Sequence, residues 1–283
     1  MEERILGKTG LSVGVFSFGG IVVRDMPQKE AARLVSNAIE RGVNYFDIAP
    51  IYGNAQQVLG SAIKSGRDQV ILAGKTNKRT KEGALKDLYD SLRVLHTDYM
   101  DVYQLHAMAV GEVQKVFEPD GAIEVLETAK EKGLIRYTGF STHYENAALK
   151  LMERYDFDTM LFPVNWASWL KNGVGQAALE EAAKRNLGCI AVKSLAEQAK
   201  ENEIDGYPRC WYKPIYDDPV LADLALRFTL SRAVHTALSP SDARMLELGL
   251  SILEKYGGVP TPLSDAELTA LKNRAKEILL AVF

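Results

Sequence analysis

The segment NYFDIAPIYGN, Asn44 to Asn54, sets a carboxylate among strand formers and a phenol in the loop that follows. Asp47 lies between Tyr45, Phe46 and Ile48, and burying a lone carboxylate there is costly unless it is paired. Pro50 and Gly53 break the strand into a tight loop holding Tyr52, ahead of a helical pattern that begins near Ala55. Two further apolar runs end in groups that do chemistry, VILAGK in Lys75 and MDVYQLH in His106. The four side chains have a joint sense. A tyrosine, with a pKa near ~10, is a weak acid at neutral pH. An ammonium ~4 Å from the phenol is worth roughly 4 kcal/mol at an effective dielectric of ~20 and is expected to lower that pKa until desolvation opposes it. A buried lysine keeps its charge only when paired, and Asp47 can supply the pair. A neutral histidine can donate to a carbonyl oxygen and orient it. Asp47, Tyr52, Lys75 and His106 together suit protonation of a carbonyl oxygen while another group delivers hydride.

The elements that must position them follow from the pattern of the chain. Short apolar runs recur at Val15–Gly20, Tyr45–Pro50, Val70–Lys75, Met100–His106, Tyr137–Thr142, Thr159–Asn165, Cys189–Ser194 and Val234–Ser239. Most are too continuous for half-exposed strands and suit parallel strands covered on both faces. Amphipathic segments lie between them. QKEAARLVSNAIERG puts Ala31, Leu34, Val35, Ala38 and Ile39 on one face and stops at Gly42, and KEGALKDLYDSLRVLH repeats the device with Leu85, Leu88 and Leu92. This alternation predicts an α/β chain folded as a closed (β/α)8 TIM barrel, a single domain over residues 1–283. ILGKTGLSVG reads as a hairpin before the first barrel strand. Ser264 with Glu267 reads as a capping box opening an extra C-terminal helix with Leu268 and Leu271 on its apolar face. An open doubly wound sheet is the alternative, but its G-x-G-x-x-G phosphate fingerprint is absent.

In such a barrel, chemistry belongs at the C-terminal strand ends. Strand two delivers Asp47 and Tyr52 there, strand three Lys75, and strand four His106. Strand five delivers Ser141, Thr142 and His143, strand six Asn165 and Trp166, strand seven Lys193 and Ser194, and strand eight Ser239. His143, His96 and His235 are read as structural. No His-x-His ends a strand, which speaks against a metal-hydrolase barrel, and no metal is expected.

Composition narrows the class. The chain of 283 residues is 47% hydrophobic and 25% charged, ordinary for a globular protein. A net charge of -3 gives no electrostatic case for nucleic acid or an acidic membrane surface. The opening MEERILGKTG has no apolar signal region, and no apolar run approaches membrane-spanning length. The two cysteines, Cys189 and Cys210, form no C-x-x-C pair, so a reduced cytoplasm is the expected compartment.

At this point the sequence resembles the aldo-keto reductase family. NYFDIAPIYGN, AGK and QLH match the family's Asp, Tyr, Lys, His tetrad in chain order, and GFST resembles its GxSN segment after strand five. The resemblance runs through about Tyr256 and is strongest in the first half. It implies a (β/α)8 barrel, an extended nicotinamide dinucleotide, usually NADP(H) with NAD(H) also possible, and reduction of an aldehyde or ketone. Tyr52 would be the general acid, Lys75 its tuner, Asp47 the partner of Lys75, and His106 the carbonyl-orienting donor. Cofactor contacts would fall at Gly20, Ile21, Asp47, Ser141, Thr142, Asn165, Lys193, Ser194, Ser239, Ser241 and Arg244. Tyr52, His106, Trp166 and Trp211 would meet the substrate.

The chain departs from the family where a strand-six Gln and the Tyr of AYSPLG are common. Here FPVNWAS and IAVKSLA put Asn165 or Trp166, and Val192 or Lys193, near those places. The pattern resembles a divergent branch, without the cysteines for the iron–sulfur extension of some relatives. After strand eight, Arg244 is the basic residue available to a 2′-phosphate, and Asp242 is expected to oppose it. Gly249 stands near a family Asn. The stretch DGYPRCWYKPIYDDP gathers Tyr207, Trp211, Tyr212 and Tyr216 into a long top-face loop that suits a substrate wall or cofactor cover. Two other functions compete with carbonyl reduction. One is a dinucleotide-binding regulatory or redox-sensing module, as in potassium-channel β subunits of this family. The other is Schiff-base chemistry at Lys75 or Lys193.

Overall fold

The computed structural model describes residues 1–200, 206–279 and 282. Eight parallel strands close into a barrel in chain order: Phe16–Gly19, Tyr45–Asp47, Ile71–Thr76, Met100–Leu105, Ile135–Ser141, Thr159–Pro163, Gly188–Val192 and Thr236–Leu238. The eighth pairs with the first, Ala237 opposite Phe16. Each expected run supplies one strand. A helix follows each: Gln28–Glu40, Ala55–Ile63, Lys81–Leu95, Ile123–Glu131, Glu145–Arg154, Gln176–Lys184, Pro219–Leu230 and Ala243–Glu254.

Strand alternation separates two cores. Tyr45, Ala73, Val102, Leu161, Ile190 and Leu238 form the interior cluster. Phe16, Phe46, Leu72 and Tyr103 belong to the larger cluster that includes the surrounding helices. Successive side chains on a strand point to opposite faces. Asp47, Lys75 and Gln104 each stand two residues beyond an interior residue, on strands two, three and four. The fold therefore turns all three inward, one layer above Tyr45, Ala73 and Val102.

The N-terminal hairpin pairs Glu3–Ile5 with Ser12–Gly14. It closes the barrel base: Leu6 and Val13 join the interior cluster, and Lys8 N donates to Asn186 O at 2.8 Å, just before strand seven. At the far side of the first strand, a Cβ on Gly249 would lie 2.3 Å from the Phe16 ring, so only glycine permits that helix–strand approach. The long loop after strand seven contains an unforeseen antiparallel pair, Ala196–Ala199 with Tyr212–Pro214. Its residues 201–205 lie outside the described residues.

The extra C-terminal helix, Asp265–Glu277, opens with the expected Ser264–Glu267 capping box. It packs on the helices Trp166–Asn172 and Pro219–Leu230. The tie is Arg227, 4% exposed, whose guanidinium donates to Asp223, Glu267 and the carbonyls of Thr261 and Pro262. Arg227→Met leaves two carboxylates and two carbonyls without their donor, and a loss of about 3 kcal/mol is expected. Urea unfolding should show a lower midpoint with an unchanged slope.

Candidate active site

A cleft of about 250 Å3 opens at the C-terminal ends of the strands. Asp47, Tyr52, Lys75 and His106 all line it. The Lys75 ammonium donates to Asp47 Oδ1, and both side chains are at most 2% exposed. Gln104 Nε2 donates to the other carboxylate oxygen at 3.0 Å. Lys75 Nζ lies 5.3 Å from the centroid of the Tyr52 ring. Lys75 thus sits close to both groups, hydrogen-bonded and ion-paired to the carboxylate and acting on the phenol by its charge. Gly53, at φ +60°, supplies the left-handed residue that turns the loop directly after Tyr52.

The electrostatics follow from burial. Burial alone would push the Lys75 pKa down, but Asp47 and Tyr52 together hold it above the ordinary lysine value. That leaves Lys75 protonated and ion-paired, a poor amine nucleophile for Schiff-base formation. Asp47 is raised because burial outweighs the attraction of Lys75. Tyr52 is raised as well, since burial exceeds the pull of the ammonium. The lowered phenol pKa expected from the sequence is therefore corrected: the side chain is only 8% exposed, and desolvation of the phenolate dominates. Burial, with the charges of Lys75 and Arg79, takes His106 down to about 2, so its imidazole is neutral at working pH. Its Nδ1 lies 2.9 Å from Asn77 Oδ1, so the face of the amide that Asn77 presents sets the imidazole tautomer. The Tyr52 and His106 rings meet edge to face at 5.9 Å.

The remaining expected residues divide. Gly20, Ile21, Ser141, Lys193, Ser239, Ser241 and Trp211 line the cleft. Ser141 Oγ accepts from Ala107 N at 2.8 Å and holds Ala107 at φ +50° directly after His106. Five others, Asn165, Trp166, Thr142, Ser194 and Arg244, are not among the residues that line it. Asn165 spends its whole amide internally: Nδ2 donates to the carbonyls of Lys193 and Ala196, and Oδ1 caps the helix Trp166–Asn172. Trp166 is fully buried with its indole N–H on Ala196 O at 3.0 Å, so the expected substrate contact is replaced by a structural one. Thr142 Oγ1 donates to Met108 O at 2.6 Å, and Ser194 is fully buried. The sequence reading missed Gln104 and His143. Gln104 shares an inward face with His106, two residues on. His143, read as structural, lines the cleft, and burial with the charge of Lys193 lowers its pKa to about 4. His235 is structural, its Nδ1 accepting from Cys189 N.

The loop after strand seven roofs the cleft. Arg209 Nη1 donates to Val22 O at 2.9 Å, Ser241 Oγ donates to Arg209 O at 2.7 Å, and Trp211 comes within 6.1 Å of the Tyr52 ring. Beyond it, Asp242 caps the helix Ala243–Glu254 and forms a two-pronged ion pair with Arg244. Arg244 also stacks on Tyr207 and Tyr216, at 4.2 and 5.4 Å. Asp242 thus holds Arg244 as well as offsetting its charge, a correction to its expected role as a simple repulsive neighbour. The Ser239 hydroxyl and a helix N-terminus at one end, with Arg244 beyond the lining and the Tyr52 hydroxyl at the other end, form an arrangement that fits an extended dinucleotide. Among the described residues, no cluster of His, Cys, Asp and Glu could hold a metal ion, and no helix is long and apolar enough to cross a membrane.

Comparison with known proteins agrees with this fold. An oxidoreductase of Bacillus subtilis (strain 168), YqkF, is 27% identical over 310 residues, covering 98% of this chain and 97% of that protein. L-galactose dehydrogenase of Arabidopsis thaliana is 31% identical over 157 residues, 50% of this chain and 48% of that protein. The solved structure of aldo-keto reductase AKR11C1 from Bacillus halodurans in its holo form superposes with a TM-score of 0.76 over 97% of this chain and 96% of that one. Its sequence is 23% identical, so that likeness establishes the barrel alone. Residues 10–209 match the Aldo/keto reductase family, to which this chain, an oxidoreductase with a (β/α)8 barrel, belongs.

Proposed function

We propose that the chain is an NADP(H)-dependent reductase of aldehydes or ketones in which Tyr52 is the general acid. The observation that carries this reading is the Lys75 ammonium paired with the Asp47 carboxylate and acting on the Tyr52 phenol, with a neutral His106 edge to face with the phenol ring. The substrate carbonyl oxygen takes a position between the Tyr52 hydroxyl and the His106 ring. A reduced nicotinamide, when bound, supplies the hydride. Tyr52 gives its proton to the oxygen as that oxygen becomes an alkoxide, and Lys75 stabilises the phenolate left behind. His106 orients the carbonyl by donating from Nε2, which requires the Asn77 amide to turn over from the orientation with Oδ1 at Nδ1, so that its N–H meets Nδ1. Trp211 and Ile51 form an apolar wall for the substrate, and both line the cleft.

Gly20, Ile21, Ser141, Ser239, Ser241 and Arg244 are the cofactor contacts in this reading, with Arg244 taking the 2′-phosphate. The cytoplasm suits a chain whose two cysteines, Cys189 and Cys210, are both buried free thiols.

Three outcomes test it. Tyr52→Phe should lower turnover on an aldehyde panel by about 10²–10⁴-fold while fluorescence titration finds dinucleotide affinity nearly unchanged. Retained turnover would remove Tyr52 from its role. With a neutral aldehyde, the pH profile of kcat/KM should show no limb from His106, which stays neutral, and a limb from Tyr52 only above the ordinary tyrosine value of 10.0, because Tyr52 must be protonated and its pKa is raised. Finally, Asp242→Asn keeps the helix cap but frees Arg244, and should raise NADPH affinity relative to NADH by about tenfold. Arg244→Ala should bring the two affinities together, and an unchanged ratio in both variants would move the 2′-phosphate contact elsewhere.

A further inference from the structure

Lys193 stands at a backbone position that lysine rarely takes. Its φ is +67°, in the left-handed region that L residues other than asparagine and aspartate seldom adopt. Strand six supplies the clamp that holds it there. Asn165 Nδ2 donates to Lys193 O at 3.1 Å and to Ala196 O at 2.8 Å, and Trp166 Nε1 donates to the same Ala196 carbonyl at 3.0 Å. Ala196 N closes the turn on Lys193 O at 3.2 Å. Two buried side chains are thus committed to fixing one four-residue turn, and the residue at its head lines the cleft.

The ammonium also has a definite place within that cleft. Its Nζ lies 5.3 Å from the centroid of the Tyr212 ring. Its charge acts on His143, and His143 in turn acts on His106. Lys193, His143 and His106 all line this one cleft. Burial lowers its pKa to about 8, which leaves it mainly cationic at neutral pH. Much of the remaining wall is apolar, with Ile51, Leu161, Val192, Trp211 and Leu238.

We propose that Lys193, held in its turn by Asn165 and Trp166, is the charged element of an anion subsite beside the carbonyl position, and that the substrate is an aldehyde or ketone bearing a carboxylate or phosphate. The inference rests on the reductase reading above. The pyrophosphate of a dinucleotide is the other source of such an anion, and the test separates the two.

The probes are 4-formylbenzoate and its neutral isostere 4-formylbenzamide, compared as a ratio of kcat/KM within each protein, beside NADPH affinity from tryptophan fluorescence. Wild type should favour the carboxylate. Lys193→Met should lower that ratio by about tenfold, the worth of one charge-assisted contact, and Lys193→Arg should restore most of it. NADPH affinity should change little in either variant. A wild-type ratio near one, or a ratio unchanged in Lys193→Met, overturns the subsite. A loss of NADPH affinity with the ratio unchanged overturns it in favour of the cofactor pyrophosphate. If wild type reduces neither aldehyde, the reductase reading fails by itself. Benzoate quenching of tryptophan fluorescence then decides the subsite, which stands if wild type binds benzoate more tightly than Lys193→Met and falls if the two are equal.

Discussion

The structure of the cleft depends on one buried ion pair, Lys75 with Asp47. Two charges taken out of water cost several kcal/mol each, roughly, and their attraction repays this only with good geometry and further hydrogen bonds. The barrel meets both conditions through register. Strands two, three and four are adjacent, and their inward positions above one interior layer are Asp47, Lys75 and Gln104. Gln104 satisfies the carboxylate oxygen that Lys75 leaves. The linkage signs of the two partners oppose each other. Lys75 has a raised pKa, so it contributes stability at neutral pH that is lost only as pH rises through its folded value. Asp47 is also raised, so its ionised form at neutral pH costs stability that protonation would return. The pair is thus weakly justified as a stabilising device, and its position close to the phenol is better explained by what the ammonium does to Tyr52.

A second constraint works at the rim, where the backbone is held in unfavourable conformations. Ala107 and Lys193 both have positive φ, and both line the cleft. Each is imposed by a neighbouring strand. Ser141 from strand five accepts from Ala107 N, and Asn165 and Trp166 just beyond strand six grip the carbonyls of the turn at Lys193. Strain of this kind persists only where surroundings over-determine it. The rigid barrel therefore supplies the side chains that touch a ligand and also the ones that hold those side chains still.

This division explains how much was legible in the sequence. The eight strands and their helices could be read because burial on both faces writes continuous apolar runs and the helices write a 3.6-residue period. The pair Ala196–Ala199 with Tyr212–Pro214 could not, since AEQA and YKP carry too little alternation to stand out. The four residues Asp47, Tyr52, Lys75 and His106 were legible because charged or polar groups closing apolar strands are expensive unless used. Asn165 and Trp166 obey the same rule and were misassigned, because a strand end cannot say whether a polar group faces a ligand or a neighbouring carbonyl. Gln104 was legible in principle, two residues before His106 on one face. His143 was not separable from a structural histidine until its burial and its proximity to Lys193 were known.

In the proposed reaction, Tyr52 brings the opposing demands together. An acid in catalysis must keep its proton until the acceptor forms, then release it readily. Burial answers the first demand, since a desolvated phenolate is disfavoured and the raised pKa keeps the hydroxyl intact across working pH. Lys75 answers the second only once negative charge develops, because an ammonium stabilises a phenolate far more than a neutral phenol. The same low-dielectric site strengthens both effects. A more exposed tyrosine would hold its proton less tightly but would gain less from Lys75, and a buried tyrosine without Lys75 would release its proton less readily. The raised pKa and the adjacent cation are therefore two halves of one device, and the ion pair with Asp47 is what keeps the cation there.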